Sequence, residues 1–393
     1  MFRPSLIRGA SVDSPDVSGY GLTRSRRASL SAEQRRKLSM LRSSSIPSPL
    51  TPKYVVSTDR SGDIHVHVQG DLSQQDKRCV FLTVHDLGTN HSTMVDFVNS
   101  PAMSEIKERS CFIHVDVPGH EENSPDLPDS YQFPSLQTLG EDLITVLDFL
   151  HVRYAVGLGE GAGANVLARC GLAHPRRLLG LILVNCTAST SSVADAFRSR
   201  FSRWRGADIS QSEEDFLIYH KFGHVSFETE KHFSYQQISS DSLEAGERDR
   251  TLAEYRSRLR GNLNTHNIKQ YVRAFINRKD LILRGCQPDI LLITGMLSPY
   301  STVIEKMYKE LDKERVTILK VDRAGDVLAE TPAKVAQSLL LFCQGQGLLT
   351  SLPPPGVERR MSRAMSMEEY DKPNIRRLSL TPSVAESPPH RKL

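Results

Sequence analysis

The sequence predicts an α/β domain: a mostly parallel sheet with helices on both faces, a helical insertion above the sheet, and a disordered tail at each end. Three observations predict it. Continuous apolar runs alternate with helical stretches, as buried parallel strands alternate with crossover helices. The apolar runs stop between about residues 188 and 280, where the chain turns charged and helical in tendency. The charge is also uneven: residues 1–53 hold ten Lys/Arg against three Asp/Glu, a net of +7, and residues 351–393 hold eight against five, a net of +3. The formal +4 of the 393-residue chain therefore leaves −6 for the middle.

The elements follow in order. Residues 1–53 are rich in Ser, Arg and Pro, show no helical or strand period, and contain the stretch Ile46–Pro52 (IPSPLTP). Such a composition does not offset its ordering entropy. The folded domain is expected over residues 54–350. Ile64–Gln69 alternates apolar and polar residues like a half-exposed edge strand. Cys79–Val84 and Cys111–Val117 are continuous apolar runs, as in buried parallel strands. A helix is expected over Leu136–Phe149, with apolar positions at Leu139, Leu143, Val146, Leu147 and Leu150, and a strand over Tyr154–Leu158. A helix starting near Ala164 leads to the strand Leu178–Val184. The insertion, residues 188–280, carries helical segments at Asp195–Phe201, Phe216–Tyr219, Leu243–Leu263 and Ile268–Ile276, and reads as a cap. Ile290–Thr294 and Val316–Val321 complete the sheet, and a helix at Ala333–Cys343 closes it. The second tail, 351–393, opens with Pro353-Pro354-Pro355.

Composition excludes several classes. With 39% hydrophobic residues the middle can bury a sizeable core. The longest apolar runs fall far short of the roughly 20 residues of a membrane helix. Arg3 and Arg8 precede no apolar stretch of the kind a secretory signal needs. The six cysteines form no CxxC pair and are expected to be reduced. A cytoplasmic protein is expected, with peripheral membrane contact through its basic tails. The tails lack interleaved aromatics and any recognition motif, so nucleic acid is not an expected partner.

In open α/β sheets, ligands meet the loops at the C-terminal strand ends. The loop after Leu158 reads Gly159-Glu160-Gly161-Ala162-Gly163-Ala164. A glycine cluster at a strand-to-helix turn is the setting of the nucleophile elbow G-x-S-x-G of α/β-hydrolases. Two registers are open, Gly159–Gly163 and Gly157–Gly161, and both put glycine where the serine would stand. After the seventh strand of such a fold an acid is expected, and Ser298 stands there. After the last strand a histidine is expected, and Asp326 stands there. Nucleophile, orienting acid and general base are thus replaced by Gly161, Ser298 and Asp326. Under the cap, His85, Asp86, His91 and Glu160 are the candidate pocket residues, with His85 and Asp86 at the oxyanion-loop position.

The sequence resembles the N-myc downstream-regulated (NDRG) family of non-catalytic α/β-hydrolase-fold proteins. The residues that carry the likeness are His85-Asp86-Leu87-Gly88-Thr89-Asn90-His91, His114–Gly119, Gly157–Ala164 and Gly180–Asn185. Met296-Leu297 and His120 depart from the usual pattern. The resemblance implies an α/β-hydrolase fold without enzymatic activity. It also implies roles in signal transduction, stress response, differentiation or trafficking, and regulation by kinases acting on the tails.

The tails support that last point. Ser29, Ser39, Ser362 and Ser379 each follow a basic residue three positions earlier, and Ser366 follows Arg363. Basophilic protein kinases with acidic grooves would recognise that pattern, and each phosphate would add roughly −1.5 to −2 charges. No cofactor is expected, since a Walker lysine and a GxGxxG pattern are both absent. No metal is expected either: His65 and His67 share one strand face, but an edge strand offers too few convergent ligands. The alternative to an adaptor is a divergent hydrolase or small-ligand-binding protein using Asp86, His91 and Glu160.

Overall fold

Eight strands form one sheet in the order β1-β2-β4-β3-β5-β6-β7-β8. They are β1 (Lys53–Thr58), β2 (Gly62–Gln69), β3 (Cys79–Val84), β4 (Ser110–Asp116), β5 (Ala155–Glu160), β6 (Leu178–Val184), β7 (Asp289–Gly295) and β8 (Val316–Val321). The pairs β1–β2 and β2–β4 are antiparallel; every other neighbouring pair is parallel. The computed structural model describes residues 52–189, 209–223 and 242–354, excepting the side chains of 242–245 and 247. Segment Asp195–Phe201 and the tail serines Ser29, Ser39, Ser362, Ser366 and Ser379 lie outside the described residues.

The fold class is the expected α/β-hydrolase arrangement. Strands β3, β4 and β5 are buried on both faces, because helices cover both. One face packs against α3 (Leu136–Phe149), α4 (Gly161–Ala173) and the cap; the other packs against α1 (His91–Asn99), α2 (Ser104–Glu108) and α10 (Pro332–Gly345). Helix α3 has the predicted bounds. Its N-cap Ser135 accepts the Thr138 N–H, and Leu139, Leu143, Val146 and Leu147 are buried as their spacing requires. The last core residues are Leu348, Leu349 and Leu352.

Two expectations need correction. Ile64–Gln69 is not an edge strand: β2 lies between β4 and β1, and β1 is the edge. The stretch KYVVST was missed because five of its six residues are not buried, so it has no apolar periodicity to read. Secondly, β5 runs on through Glu160, and α4 starts at Gly161 rather than near Ala164. Gly159-Glu160 reads as loop by propensity, but a Cβ at Gly159 would press on Ala164 and Leu167, so glycine suits this end of a central strand.

Between β6 and β7 the cap contributes α5 (Gln211–Phe222), α6 (Ser242–Gly261) and α7 (Thr265–Ile276). Glu213 of α5 accepts the Ser210 N–H at 2.7 Å, which fixes the helix start. Asn267 of α7 ties cap to sheet: it donates to Gly119 O and Pro125 O (both 2.9 Å) and accepts the Leu127 N–H (2.9 Å). The sequence past β7 adds α8 (Ser301–Glu310) and α9 (Val327–Glu330).

Candidate functional site

Strand β5 ends at Glu160, and the chain turns sharply into α4 through Gly161, whose φ is +51°. That left-handed conformation favours glycine. The turn register is therefore Gly159-Glu160-Gly161-Ala162-Gly163. The space a side chain would fill is taken: a Cβ built on Gly161 falls closer than 3.0 Å to Oδ1, Oδ2 and Cγ of Asp86. Asp86 also accepts the Ala162 N–H through Oδ1 at 2.8 Å. In hydrolases, the N–H after the nucleophile stabilises the reaction's oxyanion. Here a carboxylate of the same chain holds it.

The rest of the site is filled from the cap. The last turn of α5 delivers two adjacent buried side chains, His220 and Lys221. His220 Nε2 donates to Asp86, 2.9 Å from Oδ2 and 3.0 Å from Oδ1. Its Nδ1 pairs with the Tyr300 hydroxyl, which burial keeps protonated. Lys221 Nζ lies 2.8 Å from both Glu160 oxygens and 3.1 Å from Asp326 Oδ2. The helix then stops at Gly223, φ +78°, where a Cβ would strike the Leu297 carbonyl. The end of α5 thus rests directly on the loop after β7.

Three buried carboxyl groups face one ammonium. Burial alone would raise Asp86, but the field and hydrogen bond of His220, the charge of Lys221 and the Ala162 N–H bring it down to about 2. Glu160 goes the other way. Burial outweighs the pull of Lys221, and with the repulsion of Asp326 and Asp86 pushes its carboxyl up to about 8. Burial would discharge Lys221, but Asp326 and Glu160 hold the ammonium above the usual lysine range.

The structure thus brings Asp86, Glu160 and Asp326 together, and leaves other candidates outside. His85 is buried beside them, but both ring nitrogens serve the loop: Nδ1 donates to Asp86 O (2.8 Å), and Nε2 accepts the Val117 N–H (3.1 Å). Ser298 is buried, and its Oγ accepts the Tyr300 N–H at 3.3 Å. Of that loop, it is Tyr300 that reaches the imidazole. His91 is in a different cluster. Its Nδ1 lies 2.8 Å from Asp116 Oδ2, and its ring stacks on His67 at 3.5 Å between centroids. His220, Lys221 and Tyr300 were missed by sequence reasoning. A His-Lys pair in a helical insertion looks like exposed cap surface; only the apolar neighbours Phe216, Leu217 and Phe222 hinted that this turn faces inward.

Beside the plugged site is a cavity of about 260 Å³. Phe97, Leu263 and Leu328 line it with Arg250, Arg258, Lys221 and Asp326. Among the described residues, no helix is long and apolar enough to cross a membrane.

This sheet order, the turn at Gly161 and the cap between β6 and β7 define an α/β-hydrolase-fold protein. Solved structures agree at the level of fold. A thermophilic esterase from Thermogutta terrifontis matches 75% of this chain and 98% of its own with a TM-score of 0.58 at 16% identity. A hydrolase from Pseudomonas aeruginosa matches 74% and 97% with a TM-score of 0.54 at 19% identity. Within that fold, the chain belongs to the Ndr family, whose profile matches residues 54–350. An uncharacterized protein of Caenorhabditis elegans is 37% identical over 333 residues, 83% of this chain and 94% of the relative. Protein NDRG3 of Xenopus laevis is 30% identical over 319 residues, 78% of each chain.

Proposed function

We propose that this protein is a non-enzymatic signalling or adaptor protein of the NDRG type, in which Gly161, Ser298 and Asp326 stand where hydrolases keep nucleophile, acid and base. One observation carries the reading: Asp86 fills the nucleophile's space and binds the Ala162 N–H, so a substrate carbonyl finds neither an attacking group nor that free oxyanion donor. Fold likeness to esterases does not argue against this, because function depends on the site. Purified protein should hydrolyse no member of an esterase and lipase panel. Turnover that disappears in Asp86→Ala or Glu160→Gln would overturn the proposal in favour of a divergent hydrolase.

Regulation is proposed to act through the tails, with basophilic kinases phosphorylating Ser29, Ser39, Ser362, Ser366 or Ser379. The work is proposed to be cytoplasmic, in signal transduction, stress response, differentiation or trafficking, with peripheral membrane contact through the basic segments. Support comes from family membership and from the charge split between tails and middle. Mass spectrometry of protein from stimulated cells should find phosphate on these serines; unmodified tails under several stimuli would refute the switch. The cavity of about 260 Å³ favours a second reading, a small-ligand pocket without chemistry. A metabolite-library thermal-shift screen, compared with Leu263→Trp to fill the cavity, tests it.

A further inference from the structure

A second polar cluster lies away from the plugged site, at the end of the sheet where β2, β4 and α1 meet. His67 Nε2 is 3.1 Å from Asp116 Oδ2, and His91 Nδ1 is 2.8 Å from the same oxygen. All three ligand atoms lie within 4.8 Å of one another. The register explains the convergence. In the β2–β4 pair, His65 faces Asp116 and His67 faces His114, so His67 is the diagonal neighbour of Asp116 on the same sheet face. His91 is the first residue of α1, and its backbone N–H donates to Asp116 Oδ1 at 2.6 Å. That bond fixes the carboxylate and reserves Oδ2 for the imidazoles.

We propose that His67 Nε2, His91 Nδ1 and Asp116 Oδ2 bind a late first-row divalent cation, with zinc as the reference ion. Two imidazoles and a carboxylate form a borderline donor set that suits such ions better than magnesium or calcium. Bonds of about 2.0–2.1 Å place neighbouring ligands roughly 3.0–3.4 Å apart, so the two separations from Oδ2 change little. The imidazoles, now stacked 3.5 Å apart between centroids, must rotate away from each other to aim both ring nitrogens at one ion. The His91 N–H supplies the outer hydrogen bond that orients a ligating carboxylate. Asp116 is fully buried, while the His67 and His91 side chains are 13% and 15% exposed. An ion would thus be held from inside and keep one open side for water or a partner's ligand. When it binds, the ring protons now shared with Oδ2 move to His67 Nδ1 and His91 Nε2, leaving both imidazoles neutral. His114 is not a further ligand: its Nδ1 is engaged by Thr83 Oγ1 (2.8 Å) and its Nε2 by Gln69 Oε1 (3.2 Å).

The test uses the full chain titrated with cobalt(II) and zinc(II). One equivalent of cobalt should bind with visible d–d bands, and zinc should raise the melting temperature. His67→Gln keeps a donor to Asp116 but removes the ring ligand; it and Asp116→Asn should each weaken binding at least about tenfold. His65→Ala should bind as wild type does. Absence of saturable binding, or unchanged affinity in His67→Gln, would overturn the proposal. If Asp116→Asn fails to fold by circular dichroism, His67→Gln decides alone.

Discussion

Replacing Gly161 with alanine or serine tests the packing of the elbow directly. An L-residue at φ +51° costs about 1–2 kcal/mol. The new Cβ also overlaps the Asp86 carboxylate, which must leave its place and give up the Ala162 N–H and His220. Each such hydrogen bond to a charged group contributes about 1.5–3 kcal/mol. Together these effects amount to roughly 4–8 kcal/mol, comparable with the whole stability of many domains. At about 2–4 °C per kcal/mol for a domain somewhat smaller than this one, the melting temperature should fall on the order of 10–30 °C. The decisive assay is a double-mutant cycle in urea with Asp86→Ala. Once the carboxylate is gone, alanine at 161 meets open space and costs only its backbone strain, so the two changes should miss additivity by about 3–6 kcal/mol. Strict additivity, or a Gly161→Ala protein as stable as wild type, would refute the reasoning. Gly161→Ser should also gain no esterase activity, since the Ala162 N–H is engaged and Asp326 is paired with Lys221 rather than serving as a base.

Further outcomes follow from the same site. Lys221→Met should cost about 3–5 kcal/mol in urea unfolding, because it leaves buried carboxylates without their cation; adding Glu160→Gln should restore part of that loss. Glu160 binds its proton more tightly in the folded chain than in the unfolded one. Its contribution is therefore complete below about pH 4.5 and disappears as pH rises through about 8, an effect on the order of a few kcal/mol. Melting curves across this window should show that decline in wild type and a flatter profile in Glu160→Gln. Asp86 acts in the opposite sense: its contribution is present above about pH 4 and vanishes as pH falls through about 2. Asn267→Leu should lose roughly 2–4 kcal/mol by leaving the Gly119 and Pro125 carbonyls and the Leu127 N–H without this partner.

The sheet was legible in the sequence because its strands are long apolar runs, and so was α3, whose apolar spacing matches a helix. The exposed β1 and the glycine-rich end of β5 were not, since neither has the pattern that burial normally writes. Within the site, the sheet-borne half was readable: Asp86, Glu160, Gly161 and Asp326 stand in loops whose places follow from strand order. The cap-borne half was hidden. Whether His220 and Lys221 point inward depends on how α5 docks, and charged residues on a polar helix carry no sign of it. His91 is expected in the pocket, but the first turn of α1 directs it towards Asp116.

The wedge formed by the end of α5 has a consequence for how such a site can change over generations. A nucleophile at position 161 helps nothing while Asp86 remains, and losing Asp86 strands His220. Removing Lys221 leaves three acids to repel one another, and removing those acids strands Lys221. Each single step that would open the cleft is downhill in stability. The site therefore acts as a ratchet, in which the side chains that fill the cleft make it hard to empty by one substitution at a time.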